Sequence, residues 1–373
     1  MNLNAQFTTV SIAELFLVAA FIVLCGIQVY YYLKYFYPLS KYNPPITSTF
    51  TRGVSVIIAA KNEAATIEAC INQLLKQSYN DFEIIVVNDY SEDRTLSILE
   101  GLKSSSLVVL NNELLSGKKS ALSQGIEVAK HKLLLFTDAD CIPNSEKWIS
   151  NMARHFSVEK DIVLGFGAFQ KEGTLLNRLI RFEGFIGALQ YFGFANAGKA
   201  YMGVGRNLAY RKSIFQSIGG FAEHQTILSG DDDLLVNKAA TSVNISIEME
   251  EESHTTTEAE HSWKRFILQK RRQLSAGAHY KKKDKVRLAI FGASSFLFYT
   301  LFVTLLVISP FKLVIIGIFV MKQFLQYLFF KRIAVRLKAD DLLPFVFILE
   351  PIYIFSLTVI GVSTWFWKVK QWK

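Results

Sequence analysis

Two aspartates separated by one residue, Asp138 and Asp140, follow the apolar run LLLF at 133–136. A single intervening residue lets both carboxylates reach one point where a strand ends and the chain turns. Mg²⁺ and Mn²⁺ prefer carboxylate oxygens and bridge them to phosphate oxygens. A metal held there would neutralise a diphosphate leaving group. Most sequences of this kind are solvated turns. A metal-binding role for Asp138 and Asp140 is therefore supported only by the residues around them.

A second acidic cluster is the sequence SGDDDLL at 229–235, with three carboxylates after a glycine turn. Like charges this close raise one another's pKa, which suits a general base. The alternative is an acidic helix N-terminus that only complements the helix dipole. Taken alone, the cluster favours this structural alternative.

Residues 51–280 alternate between patterns typical of buried strands and of helices. The predicted strands lie at 54–60, 82–87, 107–110 and 132–136, and the predicted helices at 63–77, 94–102 and 119–130. Repeated strand–helix units predict an α/β fold with a parallel sheet and crossover helices. Ligands of such sheets bind at the carboxyl ends of the strands.

Polar clusters follow three of the predicted strands, namely KNE at 61–63, NDYSED at 88–93 and TDAD at 137–140. We expect these clusters to share one edge of the sheet. The sequence contains neither a Walker P-loop nor the glycine-rich dinucleotide fingerprint. A nucleotide would therefore have to be held by carboxylates and a metal.

Apolar segments flank this region in a chain that is 51% hydrophobic and 20% charged. Residues 15–33 carry no charge and can cross a bilayer core of about 30 Å. The first basic residue, Lys34, follows this run, so we interpret residues 1–50 as an uncleaved anchor and linker rather than a signal peptide. Residues 281–373 form a second membrane region, with predicted spans near 288–309, 313–330 and 342–367.

The orientation follows from basic clusters at three span ends. They share one side of the membrane if the region between the first and second spans is cytoplasmic, as the positive-inside rule favours. Lys368, Lys370 and Lys373 then fall outside, which counts against this scheme or against a full crossing of the last span. The net charge of +9 could also attract nucleic acid. No nucleic-acid-binding motif appears, so we expect no such partner.

Three further features leave alternatives open. Lys322 and Glu350 are costly in lipid: either they pair, or Lys322 snorkels while Glu350 faces a protein-lined pocket. Residues 174–195 predict a helix that either lies in the membrane interface and guides a lipid acceptor or packs under the sheet. Residues 248–260 indicate a solvated loop rather than a mobile loop over the site, with His254 at the surface.

Eight segments, taken together and in order, resemble inverting family 2 glycosyltransferases with the GT-A fold. They are VSVIIAAKNE (54–63), EIIVVNDYSEDRT (83–95), GKKSALSQGI (117–126), LLLFTDAD (133–140), VGRNLAYRK (204–212), IGGF (218–221), SGDDDLL (229–235) and QKRRQ (269–273). The resemblance implies a Rossmann-like, mixed and mainly parallel sheet with flanking helices. One span before and several after this region resemble the membrane branch of the family, which includes lipid-directed and processive synthases.

The resemblance also implies roles for individual residues. The donor-binding positions would be Asn62, Glu63, Asp89, Lys118, Asp138 and Asp140. Asp138 and Asp140 would hold Mg²⁺ or Mn²⁺, with the second acid the more direct ligand. The resemblance makes Asp232 the base that deprotonates the acceptor hydroxyl, beside Asp231. Gln269, Arg272 and Asp231 would contact diphosphate or acceptor.

One departure from the family pattern bears on the product. Gln273 stands where the family's Gln-x-x-Arg-Trp motif has tryptophan, which in polymer-making relatives helps to place the acceptor. Four spans also offer little material for a polysaccharide channel. We therefore expect transfer of one sugar, from a UDP- or GDP-sugar, to a lipid or lipid-linked acceptor. A processive polysaccharide synthase and a catalytically silent membrane scaffold are the alternatives.

Overall fold

The computed structural model describes residues 11–45, 52–364 and 366. The three terminal lysines that count against the predicted orientation lie outside these residues, as does the end of the last predicted span. Within them, an α/β domain is joined to four long apolar helices.

Ten strands form two sheets. They are β1 (Val54–Ala60), β2 (Phe82–Asn88), β3 (Leu107–Asn111), β4 (Leu133–Phe136), β5 (Ile142–Pro143), β6 (Ile162–Leu164), β7 (Gly167–Phe169), β8 (Leu208–Arg211), β9 (Ile245–Ile247) and β10 (Thr255–Thr257). The main sheet has 7 strands in the order β3-β2-β1-β4-β8-β6-β9, and the small sheet is β5-β10-β7. In the main sheet, β3, β2, β1 and β4 are parallel and β8 is antiparallel to both of its neighbours. The predicted mixed and mainly parallel sheet is confirmed.

Twelve α-helices accompany these strands in the described residues. They are α1 (Ile12–Tyr31), α2 (Ile67–Leu75), α3 (Thr95–Gly101), α4 (Lys118–Val128), α5 (Trp148–Ala153), α6 (Leu175–Asn196), α7 (Lys212–Ser217), α8 (Asp233–Ala239), α9 (Trp263–Gly277), α10 (Lys282–Ile308), α11 (Lys312–Arg336) and α12 (Val346–Ser363). The predicted strands and helices before residue 140 all form, with ends that shift by a few residues. All seven side chains of β1 are buried, because crossover helices cover both faces of a parallel sheet.

Helix α6 lies between the sheet and the membrane helices. It contacts β7 and β9 on one side and α12 on another, and most of its side chains are buried. Arg181 is among them, and its guanidinium binds both carboxylate oxygens of Asp341 at 2.7 and 2.9 Å. These contacts favour the core-helix alternative for this segment.

Four helical segments are long and apolar enough to cross a membrane: 12–41, which includes α1, then 282–308, 312–336 and 340–363. Helix α1 packs against α10 and α11, and α10 packs against α11 and α12. Lys322 Nζ lies 2.7 Å from Glu350 Oε2, and both side chains are buried. The hydroxyl of Tyr299 also donates to Glu350. The predicted pairing of Lys322 with Glu350 is thus confirmed.

The stretch 248–260 differs from the solvated loop that the sequence indicates. Its end forms β10, and Glu248 is buried where it binds His155 and Arg154. The prediction that His254 lies at the surface is wrong, since its side chain is fully buried and its Nε2 lies 3.1 Å from the carbonyl of Met249. Glu248 and His254 pack inside the domain because each finds a hydrogen-bond partner there.

Candidate active site

The carboxyl ends of β1, β2 and β4 lie at one edge of the sheet because these strands are parallel neighbours. The loop after β1 is tied to the loop after β2 through Asn62, whose side-chain oxygen accepts from the amide of Glu92 at 2.8 Å. Asn62 itself has φ 55°, a left-handed conformation that asparagine tolerates better than most residues. The predicted meeting of polar strand ends is confirmed.

Asp89 follows β2 and is completely buried. Its carboxylate accepts from Asn112 Nδ2 at 2.6 Å and from the amide of Gly117 at 3.0 Å. Gly117 has φ 145°, which favours glycine, and it immediately precedes Lys118 at the start of α4. Asp89 therefore fixes the loop that positions Lys118, in addition to any contact with a nucleoside.

Glu63 begins the polar segment that leads into α2. Its amide donates to the Thr95 hydroxyl at 2.7 Å, and its carboxylate accepts from Thr66 at 3.3 Å. Its side chain lines the same cavity as Asp138 and Asp140. The structure thus brings Glu63 to the predicted donor side of the site.

Lys118 bridges the two acidic clusters. Its Nζ lies 2.8 Å from Asp138 Oδ1 and 2.9 Å from Asp231 Oδ2. Burial works to lower the pKa of this lysine, but Asp138, Asp231 and Asp232 outweigh burial and hold the pKa well above its ordinary value. The ammonium therefore stays charged and links the two acid groups across the cavity.

The aspartate pair fits a hard divalent cation. Donor atoms of Asp138, Asp140 and Cys141 all lie within 4.8 Å of one another. Burial and the two aspartates raise the pKa of the Cys141 thiol well above its ordinary value, so that sulfur stays protonated and is a poor ligand. The usable donors are carboxylate oxygens, which Mg²⁺ and Mn²⁺ prefer.

Asp232 is a partly buried acid whose carboxylate accepts from the amides of Gly205 and Asp233. Burial raises its pKa to about 8, with further increases from Asp231 and Asp233, and Lys118 lowers it in part. Asp232 also caps α8, so the two alternatives for the cluster are compatible. A carboxyl that titrates near neutral pH suits a general base.

Asp233 is the next acid of the cluster, and its side chain is buried. Burial raises its pKa to about 6, while the hydroxyl of Tyr280, which donates to Asp233 Oδ2 at 2.6 Å, lowers it. Tyr280 lines the cavity just before the first residue of α10. Tyr280 has no motif that would single it out in the sequence.

Helix α9 supplies another wall of the cavity. Gln269, Arg272 and Gln273 all line it, as the sequence predicts for the first two. Gln273 accepts a hydrogen bond from Lys270 Nζ at 2.7 Å, so it is anchored within α9. A tryptophan at this position would present a ring to the cavity, whereas glutamine presents an amide.

The cavity has a volume of about 1680 Å³ and extends from the aspartates to the long apolar helices α10 and α12. Its far end is lined by residues of α10 and α12, namely Phe291, Gly292, Ser295, Tyr353, Ile354 and Leu357. A single space therefore connects the predicted donor and base residues with helices that can lie in lipid. Pockets of this kind pair an apolar lining with a few converging polar groups.

A mainly parallel sheet with an aspartate pair after one strand, further acids before α8 and a cavity that reaches apolar helices is the arrangement expected of a glycosyltransferase. The comparisons with known proteins agree. Residues 55–219 match the family described as Glycosyl transferase family 2. Residues 55–219 therefore form a family 2 glycosyltransferase domain, and the sheet described above agrees with the GT-A fold expected of it.

Two curated relatives illustrate the range of this family. One is UDP-Glc:alpha-D-GlcNAc-diphosphoundecaprenol beta-1,3-glucosyltransferase WfaP of Escherichia coli, to which the chain is 35% identical over 107 residues. The aligned residues make up 29% of this chain and 42% of that protein. The chain is 30% identical over 122 residues to poly-beta-1,6-N-acetyl-D-glucosamine synthase of Staphylococcus aureus (strain COL), which covers 32% and 29%. The chain thus spans less than half the length of either relative.

A solved structure matches over nearly the whole chain. It is the mannosyltransferase PcManGT from Pyrobaculum calidifontis in complex with GDP-Man and Mn²⁺, with a TM-score of 0.59 and 14% identity. The match covers 94% of this chain and 98% of that one. At this identity the likeness concerns the fold, including the helices that follow the catalytic domain.

Proposed function

We propose that the protein transfers a sugar from a UDP- or GDP-sugar to the hydroxyl of a lipid or lipid-linked acceptor, with inversion and with Mg²⁺ or Mn²⁺. The observation that carries this proposal is the continuous cavity between the acid clusters and helices α10 and α12. A nucleotide sugar can approach the sheet edge while an acceptor approaches from the membrane side.

Donor binding is assigned to the sheet edge. Asn62, Glu63 and Asp89 hold the nucleoside side, and Asp138 and Asp140 hold the metal. When bound, the metal supplies charge neutralisation for the departing diphosphate. Lys118 adds a fixed positive charge between the two acid clusters, where charge develops as the sugar bond breaks.

Acceptor activation is assigned to Asp232. Its carboxylate takes the proton from the acceptor hydroxyl, whose oxygen then attacks the anomeric carbon opposite the diphosphate and inverts its configuration. Asp231 stays paired with Lys118. Gln269 and Arg272 face the same cavity and contact the diphosphate or the acceptor.

The product is proposed to carry one added sugar. Support comes from the amide at Gln273 and from four membrane helices, which leave little material for a polymer channel. The Escherichia coli relative is named for a lipid-linked acceptor, and the Staphylococcus aureus relative for a polymer. A polysaccharide synthase is therefore the second candidate, and a silent scaffold is the non-enzymatic alternative.

The catalytic domain is proposed to face the cytoplasm. Basic residues at span ends contact that domain: Arg336 Nε lies 3.9 Å from Glu250 Oε1, Lys338 pairs with Glu251 and Arg287 donates to the carbonyl of Lys199. The basic clusters and the domain thus share one side. The positive-inside rule makes that side cytoplasmic.

The test is turnover in purified membranes. UDP-glucose, UDP-N-acetylglucosamine and GDP-mannose are each supplied with a membrane lipid extract and Mn²⁺, and release of nucleoside diphosphate is measured. Mass spectrometry of the lipids then shows one added sugar or a ladder. We expect Asp140→Ala and Asp232→Asn to abolish transfer, and activity that survives both changes would refute the assignment.

A further inference from the structure

A group of four side chains on the cavity wall is not used by the chemistry above. Glu183 on α6 pairs with Lys270 on α9, with Oε1 2.7 Å from Nζ. Arg206 lies 4.1 Å above the ring of Phe169. We call these four residues the Glu183 cluster, and Glu183, Lys270, Phe169 and Arg206 all line the same cavity.

The Glu183 cluster contains polar atoms that the protein leaves unused. Glu183 Oε2 and Arg206 Nη1 are buried and have no hydrogen-bond partner among the described residues. A buried polar atom without a partner destabilises the protein, because it has lost its hydrogen bonds to water. Both atoms are shielded in this conformation, but their side chains line the cavity, so a small rotation of either would let a ligand there supply the missing partner.

The Glu183 cluster is firmly positioned next to the reaction centre. The carbonyl of Arg206 accepts from the hydroxyls of Thr137 and Thr255, and Thr137 immediately precedes Asp138. Gly184, beside Glu183, lies against the Phe169 ring, since a Cβ there would meet it at 3.5 Å. The cluster thus connects the donor edge with α6.

Space next to the Glu183 cluster is kept open by a second glycine of the same helix. A Cβ at Gly187 would meet no atom within 4 Å, and Gly187 also lines the cavity. Further toward the membrane, Ser295 of α10 is buried with an unused hydroxyl. Polar atoms therefore continue along the wall on the way to the apolar end.

The chemistry of these atoms selects the ligand. A carboxylate oxygen only accepts hydrogen bonds, so Glu183 Oε2 needs a donor such as a hydroxyl. An ionised phosphate offers no donor to Glu183 Oε2, and it would have to compete with Glu183 for Lys270. A guanidinium Nη1 donates to a hydroxyl or ring oxygen, and an aromatic ring offers an apolar face. This combination suits a saccharide better than a lipid phosphate.

We propose that the Glu183 cluster binds the terminal sugar of a saccharide acceptor, and that the protein extends a lipid-linked saccharide rather than modifying a bare lipid phosphate. This inference rests on the proposed function. Glu183 and Arg206 act as positioning residues that hold the acceptor sugar, while its lipid end lies toward α10 and α12. Proton removal remains with Asp232.

The first arm of the test compares acceptors for the full-length protein in detergent. The probes are decyl β-D-glucopyranoside, a polyprenyl diphosphate that carries one N-acetylhexosamine, and polyprenyl phosphate. We expect transfer to one or both saccharide probes and little to polyprenyl phosphate. Preferred transfer to polyprenyl phosphate would overturn the inference and leave the proposed function standing. Release of no nucleoside diphosphate with any acceptor, membrane extract included, would overturn both.

The second arm separates acceptor from donor binding. Glu183→Gln is expected to raise the KM for the saccharide acceptor roughly 10-fold or more, the factor that a lost hydrogen bond to a charged group produces. The KM for the nucleotide sugar should change much less. Glu159→Gln, an exposed acid outside the cavity, is the charge-matched control. An unchanged acceptor KM in Glu183→Gln would contradict the proposal.

A second variant guards against loss of folding in the first. Arg206→Lys keeps the positive charge but loses the planar fork of donors. We expect it to raise the same acceptor KM while the pH dependence of kcat stays that of the unmodified protein, because Asp232 is untouched. Equal rises in the donor and acceptor KM would indicate a general disturbance and overturn the assignment.

Discussion

The ammonium of Lys118 lies 2.9 Å from a carboxylate oxygen of Asp231, and it reaches Asp138 from the other side at 2.8 Å. Asp138 follows β4, whereas Asp231 precedes α8, more than ninety residues later in the chain. Lys118 thus links the proposed donor half of the site to the proposed acceptor half through two ion pairs.

Replacement of Lys118 by methionine is expected to lower kcat by roughly 10²–10³-fold, the loss typical when one preorganised charge is removed. The side chain keeps its length but leaves Asp138 and Asp231 to repel one another. Steady-state assays with the preferred nucleotide sugar would measure the effect. Lys103→Met, at an exposed position, is the control. A fall of less than about threefold would contradict a role at the reaction centre.

Metal binding can be tested without turnover. We expect MnCl₂ to raise the thermal unfolding midpoint of the unmodified protein, because a ligand that binds only the folded state stabilises it. Asp140→Asn should lose most of this rise, since one of the two carboxylate donors becomes a weaker amide. Asp81→Asn, whose side chain is mostly exposed, should keep it. Equal Mn²⁺-dependent shifts in all three proteins would argue against the site.

The pH dependence of activity should follow the protonation of Asp232 and Asp233 at the start of α8. With a pKa near 8, Asp232 is mostly protonated at pH 6 and gains its basic form as the pH rises. We expect kcat/KM to increase between about pH 6 and about pH 9, with apparent values that belong to Asp232 and Asp233 together. Asp233→Asn should move the rise to lower pH because it removes a like charge. A flat profile would exclude Asp232 as the base.

Stability should change with pH in the opposite direction. A carboxyl whose pKa is raised on folding binds more protons in the folded state, so its stabilising contribution is present at acid pH and is lost as the pH rises through about 8. Asp232→Asn should therefore gain stability relative to the unmodified protein from pH 5 to pH 8. Thermal unfolding midpoints at matched pH values measure this, and a constant difference would contradict the raised pKa.

The buried pair between α11 and α12 predicts a pattern of single and double variants. Lys322→Met or Glu350→Gln leaves one charge without its partner, which costs roughly 3–5 kcal/mol when the pair is buried. Exchange of the two charges should retain folding, because the 2.7 Å contact can re-form in reverse. Size-exclusion profiles and unfolding midpoints in detergent test this. A charge-exchanged protein as unstable as the single variants would show that the contact contributes little.

Much of the sheet could be predicted because its signals are local. The strand β1 is a continuous apolar run that ends in polar residues, and Asp138 follows β4 in the same way. Parallel pairing then brings such ends to one edge without further information. The pairing of Lys322 with Glu350 could be anticipated because isolated charges in apolar spans need partners.

Other parts of the site depend on contacts that no local pattern encodes. Glu183 lies in an apolar helix, and only the packing of α6 against α9 brings it to Lys270. Arg206 follows a glycine in a segment that resembles the family, but its direction into the cavity comes from the two threonines that hold its carbonyl. Polarity alone predicts His254 at the surface. Its burial depends on the turn that brings its Nε2 to the carbonyl of Met249, and the sequence does not reveal that turn.

Helix α6 touches the sheet on one side and α12 on another, and the cavity wall continues from the sheet into the membrane helices. The α/β domain is therefore not an independent unit, because it forms the cavity together with the apolar helices. A shortened protein that ends before α10 would expose the apolar side of α6 to water and open the cavity along its length. If α10 and α12 lie in a bilayer, as we propose, lipid borders the cavity, and the composition of the surrounding lipids becomes a variable of the proposed transfer.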